Sequence, residues 1–234
     1  MTIDICVPAF NEEGIIREAL TSLKRIVDGI SGTDFTIILA DNGSTDATSA
    51  QARRVDGVSV LEVPQRGKGA AVVACAGRSQ ADIFGFIDAD LSADPAQIIR
   101  LLPFLEHDEC DIVIGSRLID TRIIHRTAIR TLLSKVFNGV RKMILGIKVE
   151  DTQCGLKLMN ARGRNVLARC TETGWFFDME FLARAERSGL RIREVPVQWD
   201  EQRFPGRASK LDHVRDSIGA LRAMFRIRRA MKVS

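Results

Sequence analysis

Short apolar runs alternate with longer amphipathic stretches over the first half of the chain. Ile5–Pro8, Phe35–Ala40, Val58–Val63, Ile83–Ile87 and Ile112–Ile114 read as strands. Helix signals fall between them, over Glu12–Val27, from Ser44-Thr45-Asp46 to about Arg54, over Lys68–Ser79 and over Pro95–Leu105. Asp94-Pro95 opens the last of these as an N-cap followed by proline at the first helical position. Continuous apolar strands are buried on both faces. The βα alternation therefore predicts an α/β fold, a mostly parallel sheet with helices on both sides. Beyond Arg117 the pattern changes. Residues 127–147 form an amphipathic helix candidate, with Leu132, Leu133, Val136, Phe137, Val140, Met143 and Ile144 on its apolar side. Arg126, Arg130, Lys135, Arg141 and Lys142 make its polar side basic. A short strand over Leu156–Met159, a helix from Phe176 and a strand over Ile192–Trp199 follow. A basic C-terminal helix starts near Leu211, with Val214, Ile218, Leu221 and Phe225 on one face. No repeat or linker interrupts the pattern, so residues 1–234 are expected to form a single domain.

Composition narrows the class. At 45% hydrophobic and 27% charged residues, the chain suits a soluble globular protein. No apolar run is long enough for a membrane span. The chain enters the strand Ile3–Val7 without a basic leader, so a cytoplasmic location is expected. Five cysteines, an odd number without a C-x-x-C pair, read as free buried thiols in a reducing compartment. The net charge of +4 concentrates in the stretch from Arg203 onward, where Asp212 and Asp216 are the acids. Such a stretch suits a polyanionic surface, and the chain lacks a Cys/His finger or an RNP motif. A peripheral contact with anionic lipid is thus expected rather than nucleic acid.

The candidate chemistry gathers at the carboxyl ends of the strands, where ligands bind on such sheets. These ends carry Pro8-Ala9-Phe10-Asn11-Glu12, Asp41-Asn42-Gly43-Ser44, Asp88-Ala89-Asp90 and Gly115-Ser116-Arg117. A carboxylate pair ending a buried strand is costly unless its charge is compensated. A divalent cation carrying a diphosphate would compensate it, since Mg²⁺ and Mn²⁺ share carboxylate and phosphate oxygens. An ordinary polar loop is the alternative for this tripeptide alone.

The motifs P-A-F-N-E-E, D-N-G-S-T-D, R-G-K-G-A, D-A-D, G-S-R and D-T-Q-C-G-L-K-L occur in that order. Together they resemble the inverting family-2 glycosyltransferases of the GT-A fold, over nearly the whole chain. Within that family they look most like polyprenyl (dolichyl)-phosphate hexose synthases. D-T-Q-C-G-L-K-L and W-F-F-D-M-E are closer to the glucose than to the mannose enzymes. The resemblance implies a donor-binding half, about 1–117, and an acceptor-binding half, about 118–234. It implies nucleotide-sugar contacts at Pro8, Phe10, Glu12, Leu39, Asp41, Lys68, Asp88 and Ala89. A Mg²⁺ or Mn²⁺ ion would be held by Asp88 and Asp90, with Ser92 near it. Arg117 would serve the reacting phosphates, and Arg130, Ser134 and Arg203 or Arg207 the acceptor phosphate. Gln153, Asp178 and Glu180 would bind sugar hydroxyls or order Arg117.

The implied reaction moves a hexose, glucose in this reading, from a nucleotide diphosphate to a polyprenyl phosphate with inversion. The acceptor phosphate is already ionised at pH 7, so no dedicated base is needed, and His107, His125 and His213 are expected at the surface. Mannose transfer from GDP-mannose, a soluble acceptor, a sugar-nucleotide pyrophosphorylase and a nucleic-acid-binding protein are the alternatives. The basic helix at 127–147 argues against a soluble acceptor, and the acidic Pro8–Glu13 loop against a pyrophosphorylase.

Overall fold

The computed structural model describes residues 1–118, 139–200, 203–204 and 213–233, the last helix at its two ends by backbone alone. Seven strands form one sheet in the order β3-β2-β1-β4-β6-β5-β7. They are β1 (Thr2–Ala9), β2 (Asp34–Asp41), β3 (Val58–Glu62), β4 (Ile83–Phe86), β5 (Ile112–Ser116), β6 (Lys157–Asn160) and β7 (Ile192–Pro196). All neighbours pair in parallel except β6, which runs antiparallel to both β4 and β5. The helices are α1 (Ile16–Val27), α2 (Thr48–Ala52), α3 (Lys68–Ala76), α4 (Ile98–Glu106), α5 (Ala161–Leu167), α6 (Phe177–Arg187) and α7 (His213–Val233).

The period of two along β1 explains the layering. Ile3, Ile5 and Val7 point to one face, where Ile16, Leu20 and Leu23 of α1 and Leu101 and Leu102 of α4 cover them. Cys6 points to the other, with Phe84 and Phe86 of β4, Val72 and Cys75 of α3, and Phe177 and Phe181 of α6. Every residue of β4 is buried. Asp94 accepts a hydrogen bond from Ala96 N at 2.9 Å, as its capping role predicts, but the first turn, Pro95–Gln97, is 3-10 before α4 begins. All five cysteines are free and buried. Burial raises the Cys110 and Cys154 thiols to about 11.

Three sequence expectations change. Most of the 127–147 helix candidate lies outside the described residues; within its end, residues 139–145 are helical. There Arg141, read as part of a solvated basic face, is 1% exposed, and Met143, read as apolar-face, is 77% exposed. Arg141 donates to Thr152 Oγ1 at 2.9 Å and to the Val149 and Glu150 carbonyls, so the turn after the helix draws it inward. In α7 the buried side chains are Ala220, Ala223, Met224, Ile227 and Met231, whereas Leu221 and Phe225 face water. Small residues at 220 and 223 lie on the side of the helix turned toward the core beside α6, and the larger apolar pair faces outward. His107 is exposed, as expected; His125 and the side chain of His213 lie outside what is described.

At the end of the sheet opposite the strand tips, Asp111 ties three elements together. Its carboxylate accepts from Asn160 Nδ2 at 3.1 Å, Arg162 at 3.0 Å and Arg191 N at 2.8 Å. Burial raises its pKa, but the bonds from Arg191 and Asn160 outweigh that and hold it at about 2. Removing the charge in Asp111→Asn should cost about 2 kcal/mol at pH 7, because the hydrogen bonds that meet this buried carboxylate lose their charged acceptor. A depressed folded pKa stabilises above the unfolded value, near 4, and that contribution disappears as pH falls toward 2. Denaturant titrations of both proteins should therefore differ at pH 7 and converge near pH 2.

Candidate active site

Four chain segments meet at the carboxyl ends of β1, β2, β4 and β5. The first is the pair of loops after β1 and β2. Asn11, at φ +52°, takes Thr45 N on its side-chain oxygen at 2.8 Å and gives its own amide to Ser44 Oγ at 3.0 Å. Glu12 N donates to Thr48 Oγ1 at 2.8 Å, and Glu13 N to Asp46 Oδ2 at 3.1 Å. Asp41, 6% exposed, accepts Ser44 N at 2.9 Å and the Ser49 hydroxyl. Its carboxylate is thus aimed by its own turn. Phe10 stands at the rim with the Arg66 guanidinium 5.3 Å from its ring centre. Pro8, Leu39 and Ala89 are buried, so a ligand would meet their backbone. Asn42 spans to the next segment, donating to Gln65 O and accepting from Gly67 N.

The second segment is the start of α3. Gly67 and Gly69 leave no room for a side chain: a Cβ on Gly67 would lie 2.0 Å from Thr173 O, and one on Gly69 2.5 Å from Glu172 O. This closeness sets Lys68 against β4. Its ammonium lies 2.5 Å from Asp88 Oδ1 and 4.8 Å from the ring centre of Trp175. Burial would lower the Lys68 pKa, but the charges of Asp88 and Asp178 raise it, so it stays a cation.

The third segment is the loop after β4. Leu91 at φ +49° turns the chain, and Leu91 N bonds Asp88 O at 2.9 Å. Asp90 Oδ1 accepts Ser92 N at 3.0 Å, so Ser92 reaches Asp90 through its backbone. The far side of this loop pairs with 198–200, through Asp94 N to Gln198 O and Asp200 N to Ser92 O. That brings Arg203 to 3.5 Å from Asp94.

The fourth is Asp151–Gly155, leading into β6. Asp151 takes a two-pronged bond from Arg117, Nε to Oδ2 and Nη2 to Oδ1, both 2.8 Å, plus Arg117 N at 2.9 Å. The guanidinium lies 4.6 Å from the ring centre of Trp199. Burial would raise the Asp151 pKa, but the Arg117 bonds lower it, so the pair stays ionised. Gln153 N joins the same carboxylate at 3.2 Å. Gly155 packs on Asp88: a Cβ there would sit 2.2 Å from Asp88 Oδ2.

Asp178 and Glu180 do not order Arg117, which corrects that expectation. Asp178, 2% exposed, faces Lys157 at 2.6 Å. The same ammonium also donates to Cys154 O at 2.7 Å. Burial raises the Asp178 pKa, and Lys157 and Lys68 offset part of that. Glu180 accepts Thr171 N at 2.9 Å, Glu172 N at 2.6 Å and Arg184 Nε at 2.7 Å, fastening the segment that crosses α3. The residue ordering Arg117 is Asp151. It stood in a quoted motif without a role, because its partner is 34 positions away. Arg130, Ser134 and Arg207 lie outside the described residues. Among the described residues no closed cage of three or more His, Cys, Asp or Glu exists. Asp88 and Asp90 instead offer hard carboxylate oxygens at an open loop, a donor set that fits a divalent cation completed by phosphate oxygens.

An open α/β sheet carrying a paired carboxylate loop and fixed cations at its strand ends defines a nucleotide-binding transferase. The family model described as glycosyl transferase family 2 matches residues 4–165, and the chain belongs to that family. Among its relatives, a dolichyl-phosphate beta-glucosyltransferase of Saccharomyces cerevisiae is 30% identical, covering 85% of this chain and 67% of that one. Glycosyltransferase AglD of Haloferax volcanii is 29% identical over 93% of this chain, which spans only 35% of its length. Glucosyl-3-phosphoglycerate synthase from Mycobacterium tuberculosis, solved with UDP, superposes with a TM-score of 0.70 at 23% identity. That match covers 97% of this chain and 80% of the other, and establishes the GT-A fold. The same enzyme has been solved with Mn²⁺ and UDP-glucose.

The Gly155 contact yields a direct test. In Gly155→Ala the new methyl must displace the Asp88 carboxylate. The sugar-transfer rate should fall about 100-fold, the scale for a misplaced reacting group. Far-UV circular dichroism should remain that of the parent.

Proposed function

We propose that this chain transfers glucose from UDP-glucose to a polyprenyl phosphate, with inversion, as a peripheral protein at the cytoplasmic face of a membrane. The observation that carries the reading is the joined cluster Lys68–Asp88 and Arg117–Asp151 at the strand ends. Two fixed cations stand beside a carboxylate loop, where a diphosphate leaves and a phosphate attacks. The 30% identity to a dolichyl-phosphate beta-glucosyltransferase supports the choice of sugar and acceptor.

Each residue has a stated task. The loops at Pro8–Glu12 and Asp41 hold base and ribose, with Leu39 and Ala89 contributing backbone. Asp88 and Asp90, with Ser92 beside them, would hold Mg²⁺ or Mn²⁺. Such an ion supplies Lewis-acid stabilisation of the leaving diphosphate. Lys68 exchanges part of its contact with Asp88 for a donor phosphate. Arg117 keeps its orientation through Asp151 and Trp199 and presents its remaining N–H donors to the reacting phosphates. The acceptor oxygen is already anionic, so these residues act by positioning. Arg130, Ser134 and Arg203 receive the acceptor phosphate in the half after residue 117, and Gln153 binds sugar hydroxyls.

No helix among the described residues is long and apolar enough to cross a membrane. The water-facing side of α7 carries Leu221 and Phe225 beside Arg222, Arg228 and Arg229. Apolar groups flanked by arginines suit the interface of an anionic bilayer.

Two measurements test this reading. Asp90→Asn should lose Mn²⁺-dependent binding of UDP-glucose in isothermal titration while keeping its fold. The parent should prefer UDP-glucose to GDP-mannose, and the reverse preference would refute the donor.

The acceptor side is tested separately. Co-sedimentation with anionic liposomes should weaken as salt rises. Arg130→Ala should lower transfer to polyprenyl phosphate about tenfold or more, the loss of one charged phosphate contact, with donor affinity unchanged. Native transfer rates in that variant would remove Arg130 from the acceptor site.

A further inference from the structure

Trp175 has no part in the assignments above. It is 44% exposed, between a glycine-linked turn and the buried Phe177. An isolated exposed aromatic is ordinary on a protein surface. This one is held in place. Gly69 N bonds Gly174 O at 3.2 Å, Ala70 N bonds Thr173 O at 3.0 Å, and Phe177 N bonds Gly174 O at 3.4 Å. The backbone before the indole is therefore pinned to the first turn of α3. Glu180 fixes the same segment one residue upstream, at Thr171 and Glu172. The indole has the Lys68 ammonium 4.8 Å from its ring centre, and that ammonium touches Asp88 at 2.5 Å. A large, rigid, water-facing ring thus stands one ammonium away from the carboxylate loop.

We propose that Trp175 is the platform on which the donor's hexose ring rests. This rests on the donor reading above. If Asp88 and Lys68 meet the diphosphate, the group attached to its far phosphate lies within reach of the indole. A pyranose has an apolar C–H face, whose hydrogens carry partial positive charge and match the negative face of an aromatic ring. Lys68 occupies one side of the indole in the same electrostatic sense and leaves much of the ring facing water. The contact recognises the sugar and not the nucleotide, so it separates UDP-glucose from UDP.

Isothermal titration of parent, Trp175→Ala and Trp175→Phe with UDP and with UDP-glucose, in Mn²⁺, tests this. Trp175→Ala should weaken UDP-glucose about tenfold, the scale of one aromatic contact, and leave UDP within about twofold. Trp175→Phe, which keeps a ring, should stay close to the parent. The chain has two tryptophans. The emission change on adding UDP-glucose should exceed the change on adding UDP, and that excess should vanish in Trp175→Phe. Equal losses for UDP and UDP-glucose, or no loss for either, would overturn the proposal while leaving the donor reading intact. Loss of transfer to polyprenyl phosphate with unchanged UDP-glucose affinity would also overturn it, assigning the ring to the acceptor. A parent protein that binds neither UDP nor UDP-glucose would overturn the donor reading and this proposal together.

Discussion

A strand buried along its whole length cannot be followed closely by a carboxylate unless a positive charge meets it. β4 is such a strand, and Asp88 follows it by two residues. Lys68 is the charge that meets it. Much of the local architecture follows from bringing that lysine there. The start of α3 must press against the 172–174 segment, which requires glycine at 67 and 69. That segment must be held, and Glu180 holds it. Desolvation makes each of these contacts matter more, since an unpaired charge in this setting costs several kcal/mol.

The same problem is solved again one layer down. Lys157 and Asp178 form a pair with almost no exposure beneath the site, and Lys157 also bonds Cys154 O next to Gly155. The Gly155 backbone is the surface against which Asp88 rests. A dry ion pair of this kind contributes little net stability. Its value lies in fixing the floor on which the Asp88 carboxylate stands.

The parallel strands and first helices were legible because apolar runs and capping residues report burial directly. Family motifs located Lys68, Asp88, Asp90 and Arg117, and the structure gathers them at the strand ends. Direction was not legible in β6, because a short apolar run carries no sign of whether its partners run with it or against it. Arg141 was misread because composition assigns an arginine to solvent, whereas carbonyls eight and nine residues later capture it. Leu221 and Phe225 were misread because size alone suggested the core, while small residues line the face of α7 that is turned inward beside α6. Asp178 and Glu180, expected to bind sugar hydroxyls or to order Arg117, meet Lys157 and the 171–172 backbone with Arg184 instead, because those partners are distant in sequence or hidden in a loop.

The reversed direction of β6 has a consequence for how such a chain can diversify. After β5 the chain leaves the sheet at the ligand side, and β6 re-enters from that same side, with Lys157 opposite Phe86. Leu118 and Glu150 therefore lie on one rim, next to the ion pair of Arg117 with Asp151. Chain length can be gained or lost between these two points without changing any strand pairing, so this rim is where members of such a fold can differ while the sheet stays the same.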